Sequence, residues 1–173
     1  MKVYDGSQTE SAQQSQPERI KVGIAEYRVA TDSAVLTTSG LGSCIGVGIY
    51  DEASGVAGLV HVMLPTAEDV EGGNRAKFAD TGVAALVEAL EAEGASRDGM
   101  RAKIAGGSDM LDFSENGPSI GSRNADQVRE TLTAFDIPLL GEDVGGDHGR
   151  SLRLEADTGD FVVKSANTES TTL

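Results

Sequence analysis

An α+β fold is expected from this sequence on three grounds. Short apolar runs bounded by glycine-rich or polar turns recur along the chain, which is the pattern of many strands. Only two stretches place apolar residues at helical spacing. At 173 residues, with 39% hydrophobic residues, the chain is expected to form one domain with a sizeable core. Aromatic residues make up only 4% and Trp is absent, so Val, Ile, Leu, Ala and Gly must build that core.

Residues 1–18 are rich in Ser, Gln and Glu with almost nothing to bury, and are expected to be a disordered tail. The domain is expected over residues 19–164, followed by a polar tail over 165–173. Ile20 to Val29 reads as one strand with Ile20, Val22 and Ile24 on one face. Thr31-Asp32-Ser33 is a turn, and Val35 to Thr38 a short strand. Ile45 to Tyr50 and Val56 to Leu64 are apolar runs joined by a polar turn, the signature of a β-hairpin. Thr66 to Asn74 is a polar surface loop. Ala76 to Glu93 is the clearest helix, with Phe78, Gly82, Ala85, Leu86, Ala89 and Leu90 as its stripe and Gly94 as its stop.

Met100 to Ala105 is a strand ending in Gly106-Gly107. Ser108 to Pro118 is irregular, and its Met110, Leu111 and Phe113 are either core plugs or a partner contact. Asn124 is expected to cap a second helix, with Gln127 in a variant capping box and Val128, Leu132 and Phe135 facing inward. Leu139 to Val144 is a strand, and Ser151 to Glu155 with Phe161 to Lys164 form a last hairpin. The turn Gly145 to Arg150 lacks the Lys-Ser/Thr of a P-loop and opens no helix. His148 among those glycines is expected to be exposed.

The chemistry concentrates between Leu36 and Pro65. That stretch holds the only cysteine, Cys44, and one of two histidines, His61. Pairing the hairpin about the middle of Asp51–Ser54 sets Cys44 directly opposite His61, on one face, with Cα atoms about 4.5–5.5 Å apart. A loop of odd length would put them on opposite faces. An imidazole can take the proton of a thiol, which at its ordinary pKa is only a few per cent thiolate. Backbone N–H groups around Gly42-Ser43-Cys44 can converge as an oxyanion hole, because Gly40 and Gly42 reach backbone conformations closed to other residues. A lone cysteine is otherwise a small buried hydrophobe, and Thr38 a plain β-former.

These residues resemble the CheD family. The similar segments are Val22-Gly23-Ile24-Ala25-Glu26-Tyr27, Thr38, Leu41-Gly42-Ser43-Cys44 and His61-Val62-Met63-Leu64-Pro65. Further on come Lys103 to Gly107, Ile120 to Asn124, Glu142 to Gly146 and Gly149-Arg150-Ser151. The resemblance implies a layered α/β/β/α sandwich like that of the cytotoxic necrotizing factor catalytic domain. It implies a chemoreceptor glutamine deamidase with Cys44 as nucleophile, His61 as base and Thr38 as third member. It also implies chemoreceptors as substrates, a CheC-type phosphatase as partner and no cofactor. A glutamyl methyl ester would suit the same site. The alternative is a non-catalytic adaptor acting through CheC.

Asp and Glu number 28 against 14 Lys and Arg, giving a net charge of −14. Such a surface repels nucleic acid and anionic membrane. Only five of the basic residues are Lys, a composition resembling salt-in halophiles. One cysteine excludes an intramolecular disulfide, and no apolar run approaches the roughly 18 residues of a membrane span. A cytoplasmic protein is expected. His61 and Cys44 alone are too few for a zinc site.

Overall fold

The computed structural model describes residues 18–67, 73–109, 117–165 and 169–173. Two five-stranded sheets stack face to face. One runs in the order β1 (Arg19–Lys21), β3 (Val35–Leu41), β8 (Arg150–Glu155), β9 (Phe161–Ser165), β10 (Thr171–Thr172). The other runs β2 (Tyr27–Thr31), β5 (Val56–Val62), β4 (Ile45–Asp51), β6 (Met100–Gly106), β7 (Leu139–Val144). Two helices, α1 (Ala79–Ala92) and α2 (Ile120–Ala134), lie on the outer face of the second sheet. The α+β layered sandwich is therefore seen. Among the described residues, no helix covers the outer face of the first sheet.

Strand β4 shows why the hairpin sequence is apolar throughout. All seven of its residues are buried. Ile45, Val47 and Ile49 enter the helix–sheet core with Val83, Leu86 and Leu90. Gly46, Gly48 and Tyr50 turn the other way, toward Leu41, Leu152, Leu154 and Phe161 of the first sheet. A strand buried on both faces reads as a continuous apolar run. At Gly46 the close approach of the sheets needs glycine: a Cβ there would lie 2.7 Å from Leu152 Cδ2.

Several sequence expectations are corrected. The strand expected over Ile20–Val29 is two strands in different sheets, broken by a turn in which Gly23 N–H donates to Glu26 Oε1 at 2.8 Å. Ala25 sits there at φ 59°, and Ile24 is left exposed. Periodicity could not see this, because the apolar alternation runs through the crossing. The helix expected from Ala76 is interrupted at Phe78, which bridges to Leu64 after a short 3-10 turn, Arg75–Lys77. Helix α2 begins at Ile120 and is capped by Ser119, whose hydroxyl accepts from Ser122 N–H at 3.1 Å. Asn124 is inside the helix, and Gln127 bonds Thr131 rather than closing a capping box. In the expected C-terminal tail, β10 pairs with β9, and Leu173 packs on the core between the sheets. Residues 1–17 of the expected N-terminal tail, and the whole Met110, Leu111 and Phe113 set, lie outside the described residues.

Candidate active site

Thr38 and His61 come from opposite sheets. Alternation along β3 turns Leu36 and Thr38 inward; alternation along β5 turns Ala57, Leu59 and His61 inward to meet them. Strand β3 does not neighbour the hairpin in its own sheet, so Thr38 reaches His61 across the sandwich. Both residues are buried. Thr38 Oγ1 donates to Val22 O at 2.8 Å and lies 2.8 Å from His61 Nδ1. Its single proton is committed to the carbonyl, so toward the ring it accepts. That network assigns the ring proton to Nδ1 and leaves a lone pair on Nε2. Nε2 is buried and has no hydrogen-bond partner among the described residues. The turn between β1 and β2 holds the His61 backbone: its N–H donates to Glu26 O and its carbonyl accepts from Ala25 N–H.

The hairpin register differs from expectation by two residues. The hairpin turns about a centre one residue later than the middle of Asp51–Ser54, so Asp51 pairs with Val56 and His61 faces Gly46. Cys44 therefore stands diagonal to His61, a relation in which Cα atoms are about 7–8 Å apart. The slip is even, so both residues keep the same face. Cys44 is half-buried at the entry to β4, against the core between the sheets.

Burial decides the charges. It lowers the His61 pKa from 6.5 to about 4. It raises the Cys44 thiol, opposed only in part by the residue's own backbone N–H. Both groups are thus neutral at rest near pH 7, with the imidazole as an unprotonated base. A standing thiolate–imidazolium pair is disfavoured on both sides.

The loop that delivers Cys44 is fixed by groups from far along the chain. Gly107 N–H donates to Cys44 O at 2.9 Å, and Ser108 N–H to Gly42 O at 2.8 Å. Gly106 passes so close that a Cβ there would lie 2.1 Å from Cys44 O, and its φ of +120° is itself a glycine conformation. Buried Arg150 donates to Gly106 O at 3.2 Å and to Asp143 Oδ1 at 3.2 Å. Asn124, fully buried, donates from Nδ2 to Ser43 O and to Met63 O, both at 2.9 Å. One carboxamide thus ties the segment before Cys44 to the segment after His61. Sequence reasoning placed Asn124 as a cap and missed this; the signal available was an Asn on the inward side of an amphipathic helix. Gly42 N–H is engaged by Gly40 O at 3.1 Å, so of the two expected oxyanion residues only Ser43 keeps its N–H without a main-chain partner among the described residues. His148 stands apart in the Gly145–Arg150 turn, part-exposed and 3.9 Å from Asp147.

A family model described as CheD chemotactic sensory transduction matches residues 63–165. The chain belongs to the CheD family. A Haloarcula marismortui protein is 73% identical over 173 residues, covering 100% of both chains, and is named "Probable chemoreceptor glutamine deamidase CheD". A CheD of the same name from Natronomonas pharaonis is 47% identical over 94% of this chain and 97% of its own. Both sources agree with the salt-adapted composition. A solved Neisseria meningitidis structure, of the DUF152 family model, aligns with TM-score 0.49 at 11% identity, covering 80% of this chain and 67% of that one. The alignment with the Haloarcula CheD spans Thr38, Cys44 and His61, which the family model does not reach. Among the described residues, no helix is long and apolar enough to cross a membrane. Among them, too, no cluster of three or more His, Cys, Asp or Glu could hold a metal.

Proposed function

We propose that this CheD hydrolyses the side-chain amide of glutamines on chemoreceptors, with Cys44 as nucleophile and His61 as base. The supporting observation is the Thr38–His61 contact, which commits Nδ1 and leaves Nε2, on the face it shares with Cys44, with no partner among the described residues. The names of the relatives supply the substrate class.

As Cys44 Sγ attacks the carboxamide carbon, His61 Nε2 takes the thiol proton. Backbone N–H groups of the preceding turn hold the oxyanion. The imidazolium, costly in a buried site, gives its proton to the amide nitrogen, and ammonia leaves. A thioester remains. His61 then takes a proton from water, which attacks the thioester carbonyl; the thiol is restored and glutamate released. The buried ring favours both proton returns, because its charged form is the unstable one. A glutamyl methyl ester fits the same steps with methanol as leaving group. A CheC-type phosphatase is the proposed partner. Receptor cytoplasmic fragments incubated with the protein in molar KCl should gain about one mass unit per converted glutamine, the difference between amide and acid. No gain with the wild-type protein, or an equal gain with Cys44→Ala, would overturn the proposal.

A further inference from the structure

Three consecutive carbonyls of the nucleophile loop are held by distant donors. Gly42 O accepts from Ser108 N–H, Ser43 O from Asn124 Nδ2, and Cys44 O from Gly107 N–H. These donors belong to one body of structure. Gly121, a turn before Asn124 on α2, lies so close to the 107–108 segment that a Cβ there would be 2.4 Å from Ser108 O. In a planar trans peptide the carbonyl of one residue and the N–H of the next point opposite ways. Fixing Gly42 O and Ser43 O on one side therefore turns the N–H groups of Ser43 and Cys44 to the other. Neither N–H has a main-chain partner among the described residues.

We infer that Asn124 is a positioning residue for the oxyanion hole, and that the hole's donors are the N–H groups of Ser43 and Cys44. This inference rests on the deamidase reading. Asn124 suits that role because it is fully buried and its Nδ2 spans both Ser43 O and Met63 O. It thereby fixes the peptide plane that carries Cys44 N–H relative to the strand that carries His61. The Ser43 plane is set independently, by Ser108. A donor displaced from the developing oxyanion loses transition-state stabilisation without losing substrate binding.

Two measurements test this. The first is steady-state deamidation by Asn124→Ala and Asn124→Ser beside iodoacetamide alkylation of Cys44, which develops no oxyanion. The expected result is kcat lower by about ten- to a hundredfold, the scale of a misplaced catalytic group, with KM and alkylation rate within about twofold of wild type. Equal loss of kcat and alkylation rate would mean a merely structural role, and wild-type kcat would mean no role; either overturns the inference. The second needs no variant. A receptor-peptide aldehyde adds the Cys44 thiol to give a hemithioacetal whose oxygen takes the oxyanion's place. The amide nitrogen and proton signals of Ser43 and Cys44 should shift more than that of Gly42. A larger shift at Gly42 would overturn the assignment of donors. Absence of deamidation by the wild-type protein, with the aldehyde still shifting Ser43 and Cys44, would strike the proposed function and leave the hole intact.

Discussion

Replacing Thr38 by Val keeps the shape and removes only the hydroxyl. In the folded protein that hydroxyl serves two buried groups, Val22 O and His61 Nδ1, each at 2.8 Å. Thr38 itself is only 3% exposed, so no bulk water can take its place. Leaving a buried polar group unpaired costs about 1–3 kcal/mol, so two cost roughly 2–6 kcal/mol of stability. That is a large part of a typical total of about 5–15 kcal/mol. The catalytic effect is separate. Without its acceptor, the ring proton is free to move to Nε2, which removes the lone pair that would deprotonate Cys44. One lost neutral hydrogen bond of about 1–2 kcal/mol corresponds to a fall in kcat of about five- to thirtyfold. Thr38→Ser should recover most of it. The assay is deamidation of receptor fragments in molar KCl, with nitrogen chemical shifts of His61 reporting the tautomer. A Thr38→Val protein with wild-type rate and the Nδ1–H tautomer retained would show that the hydroxyl does not set the ring. A loss as deep as that of Cys44→Ala would give Thr38 a larger role than orienting the ring.

Four further outcomes are expected. Because burial raises the Cys44 thiol, iodoacetamide alkylation should still be climbing with pH at about 9; a plateau below pH 7 would mean a standing thiolate–imidazolium pair. Since the folded pKa of His61 is depressed, its contribution to stability is intact above about pH 6.5 and lost as pH falls toward 4, by about 3 kcal/mol; urea unfolding at pH 7 and 4.5 should show a steeper decline in wild type than in His61→Asn, and equal declines would contradict the burial effect. Gly106→Ala must push Cys44 O away from a 2.1 Å contact, so both deamidation and thermal stability should fall, and a variant with unchanged activity would show that the loop yields there without consequence. Molar KCl should raise the melting temperature by screening the net charge of −14, whereas a melting temperature flat in salt would remove the halophile reading.

The parts of the fold set by local pattern were legible in the sequence. Gly and Asp turns delimited β4 through β9, and the 3.6-residue stripe found α1. The shared face of Cys44 and His61 survived a two-residue error in register, because strand parity repeats every two residues. What failed was long-range. Nothing local marks the change of sheet between Lys21 and Tyr27, or the placing of Thr38 across the sandwich rather than beside the hairpin. Asn124 near the start of an apolar periodic stretch looks like a cap, since a cap satisfies N–H groups a few residues away. Its actual partners are carbonyls 81 and 61 residues distant, and helical spacing carries no information about them. The neutrality of the thiol and imidazole likewise follows from burial by both sheets, which motif spacing does not report.

The nucleophilic role proposed for Cys44 is tested most directly through the covalent intermediate it requires. The protein and a receptor fragment would be mixed in molar KCl, quenched in acid within the first turnover, digested and weighed. An acyl-enzyme predicts a cross-linked peptide on Cys44, lighter than the sum of its parts by about 17 mass units, the ammonia lost in the first step. The adduct should form in a burst and be absent from Cys44→Ser. Deamidation that proceeds at full rate with no adduct on Cys44 at any time would exclude the thioester route.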